Sequence, residues 1–109
     1  MGIKVFLDDI KTPCMVYGPG ADAEWKTVRT AEEVMRLLET EIVSHLSLDN
    51  DLGEGMTEGF RVVRWMIEHA IWPTDEVFVH SENIVRGPEM RADVARYFHP
   101  KKRKGKEAR

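Results

Sequence analysis

Two acidic clusters stand where apolar runs stop: Asp8-Asp9 after "IKVFL", and Asp49-Asn50-Asp51 after "SHLSL". A third run, "EVFVH", ends in His80 followed by Ser81. Acids after a strand also make turns, because Asp, Asn and Gly suit turn backbones, and that alone accounts for Asp51 ahead of Leu-Gly-Glu-Gly. It accounts less well for Asp49, which should still sit at the strand's end. Asp8 and Asp9 are not expected to cap a helix, since the next residues lead into Pro13 and a residue before proline avoids helical geometry. Two adjacent acids facing two more repel one another unless a cation or shifted pKa values relieve them. Hard carboxylate oxygens suit Mg²⁺, which keeps several waters and takes one or two protein carboxylates plus phosphate oxygens. Asp8, Asp9 and Asp49 are the candidate ligands. Asp49 could instead accept a phosphoryl group, and Asp51 could orient water or a metal-bound ligand. His80 is the usual type of group for general acid–base work near neutral pH, and it lies at a strand end opposite the acids. His45, His69 and His99 read as core or surface residues.

The elements that must position these groups follow from periodicity and caps. Strands are expected at 3–7, 25–29, 44–48 and 76–80. Residues 10–24 show no periodicity and contain two Pro and two Gly, which reads as a long loop. Thr30 with Glu33 forms a capping box for a helix whose apolar face is Val34, Leu37 and Leu38. Thr57 is the expected cap of the next helix, with Glu58 at its positive end and Phe60, Val63 and Ile67 on its buried face. Pro88 suits the first turn of a last helix carrying Met90, Val94 and Phe98. Trp65 and Trp72 read as packing groups, and Trp25 as an anchor of the second strand. Strands alternating with helices predict an α/β domain with a short parallel sheet of about four strands and helices packed on it. Ligands of such sheets bind outside the carboxyl ends of the strands, so Asp8-Asp9, Asp49-Asp51 and His80-Ser81 are expected on one rim.

Composition sets the class. The chain of 109 residues, 42% apolar and 32% charged, fits one globular domain, expected over 1–98. No apolar stretch is long enough to cross a bilayer. Cys14, the only cysteine, excludes an internal disulfide and favours a reducing compartment, the cytoplasm by default. Net charge is −3, but the tail 99–109 carries six of the 16 basic residues, leaving 10 basic against 18 acidic residues before it. Such a block reads as a solvated, disordered tail, with contact to a nucleic-acid backbone as the alternative.

Four stretches, "VFLDDIKTP" (5–13), "VRTAEEV" (28–34), "LSLDNDLGEG" (46–55) and "VHSEN" (79–83), resemble the signatures of the cyclic-phosphate-processing receiver domains, a divergent branch of response-regulator receivers. The resemblance spans about residues 3 to 95. It implies a truncated flavodoxin-like fold of strand order 2-1-3-4 with helices on both faces, lacking the first helix and last strand of ordinary receivers. It also implies hydrolysis or transfer at a cyclic phosphate, in RNA end repair or on a related nucleotide. Two positions depart from the family pattern: Asn50 stands where His is commoner, and the stretch after Asn83 lacks the family's Pro and Gly spacing before Arg86. Asn50 can hydrogen-bond a phosphate but cannot shuttle a proton.

On that reading His80 serves one proton transfer of ring opening, Asp49, Asp51 and Ser81 complete the catalytic set, and Asn50, Asn83 and Arg86 contact phosphate. The expected function is a small phosphoesterase using Mg²⁺, acting on nucleotide or RNA-end cyclic phosphates. The alternatives are a signalling receiver phosphorylated on Asp49, or a non-catalytic nucleic-acid accessory protein using its tail. Ordinary receivers place a Lys at the end of a fifth strand, and no apolar strand follows Phe98. The missing strand leaves a sheet edge through which the chain could dimerise.

Overall fold

The computed structural model describes residues 2–100. Four strands, β1 (Ile3–Leu7), β2 (Trp25–Val28), β3 (Val43–Leu48) and β4 (Glu76–Val79), pair in parallel in the order β2-β1-β3-β4. The central pair, β1 and β3, is the most buried, as befits strands covered on both faces. Helices α3 (Ala31–Thr40), α4 (Phe60–His69) and α5 (Arg86–Tyr97) pack on one face against Val5, Leu7, Leu46, Leu48 and Val77. Each such side chain, fully buried, contributes about 1.5–3 kcal/mol of transfer free energy.

The opposite face carries the other half of the alternation: Phe6 on β1, Trp25 on β2, His45 and Ser47 on β3, and Phe78 on β4. The segment read as a loop covers part of it. Residues 10–24 contain two short helices, α1 (Pro13–Tyr17) and α2 (Ala21–Glu24), which seat Val16 and Ala21 against Phe6 and Trp25. Helices of five and four residues are too short to display a 3.6-residue apolar period. Helices therefore lie on both faces of the receiver-like sheet, unequally.

The capping box of α3 forms: Thr30 Oγ1 accepts from the Glu33 amide, while the Glu33 carboxylate accepts from the Arg29 amide and the Thr30 hydroxyl (all 3.2 Å). The start of α4 differs from expectation. Its N-cap is Gly59, not Thr57, whose hydroxyl instead donates to Glu32 of α3 (2.6 Å). A Cβ on Gly59 would lie 1.8 Å from the Asp49 carbonyl oxygen, so a glycine is needed for α4 to begin against the end of β3. The edge of β4 is partly capped by Arg91, whose guanidinium donates to the Val79 and Ser81 carbonyls (3.2 and 3.1 Å). Most of the basic tail, 101–109, lies outside the described residues.

Candidate functional site

Backbone hydrogen bonds carry the sheet ladder one residue past the strands. Asp8 N–H donates to the Val28 carbonyl (3.2 Å), Asp49 N–H to Leu7 (3.0 Å) and His80 N–H to Leu48 (3.0 Å). Three residues from distant parts of the chain are thereby fixed side by side at the carboxyl rim. One carboxylate oxygen from each of Asp8, Asp9 and Asp49 lies within 4.8 Å of the others. They open into a cleft of about 270 Å³ that is also lined by Ile10, Lys11, Asp51, Glu82 and Asn83.

Asp8 is 2% exposed and held from several sides. Its Oδ1 accepts from the Ile10 and Lys11 amides (2.9 and 2.8 Å), and its carbonyl accepts from the Arg29 guanidinium (2.8 Å). These amides turn the chain back over the cleft and bring Lys11 to its mouth, where the ammonium pairs with Glu82 (2.9 Å). Asp49 bears the cost of crowding. Burial, then the Asp8 charge, push its pKa from 3.8 up to about 6, against a hydrogen bond from the Asn50 amide that pulls it down. Lys11 is pushed above its ordinary value, first by the hydrogen bond to Glu82 and also by the charges of Asp8 and Asp49, so it stays a cation.

His80 meets the acids, but not as a group open to substrate. Its Nε2 contacts Asp8 Oδ2 (3.0 Å), its Nδ1 contacts Ser47 Oγ (2.7 Å), and its side chain is 5% exposed. The ring stacks flat on Phe6, with centroids 4.5 Å apart and planes 2° from parallel. Burial lowers its pKa, opposed by the hydrogen bond and charge of Asp8, so the imidazole is neutral at physiological pH.

The family model for the cyclic-phosphate processing receiver domain matches residues 3–96, a span that holds the whole sheet and all three acids of the cluster. The chain belongs to that family. Comparison with curated proteins and with solved structures gives no match. The four-stranded order and the acidic cluster at the carboxyl rim are those of a receiver.

The other predicted site residues of this receiver domain divide into two groups. Asp51 is exposed in the cleft, and its carboxylate accepts from the side-chain amides of Asn50 (3.0 Å) and Asn83 (3.1 and 3.3 Å). Asn50 is itself wholly buried. Its amide also donates to Glu58 (3.0 Å) and its Oδ1 accepts from the Phe60 amide (3.0 Å), so Asn50 joins Asp51 to the start of α4 and does not reach the cleft. Asn83 does the same for α5, accepting from the Val85 and Arg86 amides (2.9 and 2.7 Å). Ser81 is buried, and its Oγ accepts from the Asn83 amide (3.1 Å).

Arg86 does not join the acids. It lies over the Phe60 ring at 3.8 Å, pairs with Glu89 (2.7 Å) and Glu58 (3.8 Å), and lines a separate groove with Met56 and Arg61. The cation in the cleft is Lys11, which sequence reasoning passed over. Its signal was its place two residues after the Asp pair, where the Asx-type turn on Asp8 folds it inward. The donor set fits a hard divalent cation such as Mg²⁺: three carboxylates, one of them with a raised pKa that a cation would relieve.

Proposed function

We propose that this receiver domain is a phosphoesterase that opens cyclic phosphates on nucleotides or RNA ends. The observation that supports it most is the cleft itself, where three converging carboxylates face a Lys11 ammonium and a separately held Asp51. Asp8, Asp9 and Asp49 would hold Mg²⁺, which when bound neutralises phosphate charge. Lys11, at the mouth of the same cleft, meets the phosphate oxygens. Asp51, fixed by Asn50 and Asn83, orients the attacking water and takes its proton. The new bond joins that water oxygen to phosphorus, one ring P–O bond breaks, and the proton returns to the departing ribose oxygen. His80 acts through Asp8, holding that carboxylate in place.

A second reading has one observation in its favour: Asp49, at the end of the central strand β3, is partly open to the cleft and suits phosphoryl acceptance. The assay that separates the two offers purified protein with Mg²⁺ a set of substrates: 2′,3′-cyclic nucleotides, RNA with cyclic-phosphate ends, ADP-ribose cyclic phosphate, and acetyl phosphate. The phosphoesterase reading expects many turnovers of a cyclic phosphate per protein. Stable labelling of Asp49 by acetyl phosphate, with every cyclic phosphate left intact, would instead establish a signalling receiver.

A further inference from the structure

Behind the acidic cleft runs a continuous chain of side-chain hydrogen bonds, of which the proposed chemistry uses only the last link, His80 to Asp8. Tyr17 Oη lies 2.6 Å from Ser47 Oγ, Ser47 Oγ lies 2.7 Å from His80 Nδ1, and His80 Nε2 lies 3.0 Å from Asp8 Oδ2. It crosses from α1, through β3 and the end of β4, to the end of β1. The geometry points to Tyr17 and Ser47 as positioning residues, whose hydroxyls hold the His80 ring in place and so set the orientation of the Asp8 carboxylate toward its ligand. This inference rests on the reading of Asp8 as a cation ligand.

The direction of every bond follows from one end. A carboxylate only accepts, so His80 Nε2 carries the proton and donates to Asp8. In the neutral ring Nδ1 then has only a lone pair, and Ser47 O–H must donate to it. The Ser47 oxygen is left to accept, and Tyr17 O–H donates to it. Ser47 is wholly buried, and among the described residues no buried side-chain nitrogen or oxygen lacks a partner. The opposite tautomer would set a bare Nε2 lone pair against the Asp8 oxygens and is disfavoured for that reason.

Tyr17 is 41% exposed, yet its hydroxyl turns inward and its ring stacks on Trp25 (5.3 Å between centroids, 13° between planes). With Phe6 flat against the imidazole, the ring cannot swing without breaking two hydrogen bonds and a stack. Asp8 Oδ1 is held by two backbone amides and Oδ2 by His80, so the carboxylate plane is set before any ligand arrives. Partners of this kind behind a metal ligand are worth roughly 10–100-fold in metal affinity.

The test measures two things on the full chain: the ¹⁵N shifts of the His80 ring, which report the hydrogen bond at Nδ1, and Mg²⁺ affinity by calorimetry. Ser47→Ala should move the Nδ1 resonance, leave the proton on Nε2, and weaken Mg²⁺ binding by less than the roughly 10–100-fold of a partner that touches the ligand itself. Tyr17→Phe, at a half-exposed ring, should keep the fold and produce a smaller change of the same sign in both readouts. Ser47→Thr, which retains a hydroxyl, should stay close to wild type. A purely structural role for Ser47 would lower the melting temperature and leave Mg²⁺ affinity unmoved, which overturns the inference. So would a Tyr17→Phe protein identical to wild type in both readouts. If wild type binds no Mg²⁺ while Ser47→Ala still moves the Nδ1 resonance, the metal reading fails and the relay stands.

Discussion

Asp49→Asn should stabilise this protein at neutral pH while removing its function. The folded-state pKa of Asp49 is about 6 against 3.8 for a free side chain, so the folded protein holds a proton over a range where the unfolded chain has lost it. Stability therefore falls as pH rises from near 3.8 to near 6 and stays reduced above that window. Two pKa units correspond to about 3 kcal/mol; the group is partly open to solvent, and screening brings this to about 1–2 kcal/mol. Asparagine keeps the hydrogen bond from the Asn50 amide (2.8 Å) and carries no charge. For a domain of this size the gain corresponds to a melting temperature about 5–10 °C higher than wild type without Mg²⁺. Thermal unfolding by circular dichroism across the pH range measures it. The gap should open between 3.8 and 6, close below 3.8, and narrow when Mg²⁺ stabilises wild type. A variant less stable than wild type at neutral pH, or a gap that does not depend on pH, would refute the reasoning.

Gly59→Ala should cost about 3 kcal/mol or more in chemical denaturation, because the new Cβ meets the Asp49 carbonyl oxygen at 1.8 Å and the backbone must shift. Asn83→Ala removes the acceptor for the Val85 and Arg86 amides and should lower stability by about 1 kcal/mol. It should also lower kcat, because Asp51 loses the amide that holds it. Lys11→Met should leave the melting temperature unchanged, since exposed ion pairs contribute little, and raise KM for a cyclic phosphate roughly 10-fold.

Much of the fold was legible because strand endings are explicit here. Leu7, Leu48 and Val79 are each followed by polar residues, and parallel strands must put such endings on one rim. The alternation within β4 also put His80 on the face of Phe78, Ser47 and Phe6, so the side of the sheet it joins could have been read from period two alone. What could not be read is how loops return. Thr57 has the residue type of a cap, but the acceptor for the Phe60 amide is Asn50, ten residues back, and only the packed turn brings them together. Arg86 has the charge to meet phosphate, yet the aromatic face of Phe60 and two glutamates hold it elsewhere. Lys11 was hidden for the opposite reason: a lone Lys in a loop carries no pattern until the Asp8 carboxylate gathers two amides and folds the loop over the cleft.

Asp51 separates chemistry from ligand binding most cleanly, because it lines the cleft without belonging to the three-carboxylate cluster. The decisive measurement follows the phosphorus resonance of a 2′,3′-cyclic nucleotide with Mg²⁺ in the presence of wild type and of Asp51→Asn. Wild type should convert the cyclic diester to a monoester well beyond one equivalent of protein. Asp51→Asn should bind Mg²⁺ as wild type does and lose the conversion by at least roughly 100-fold, the usual contribution of a positioned general base. Conversion at the wild-type rate in Asp51→Asn would contradict the assignment of the chemistry to this cleft.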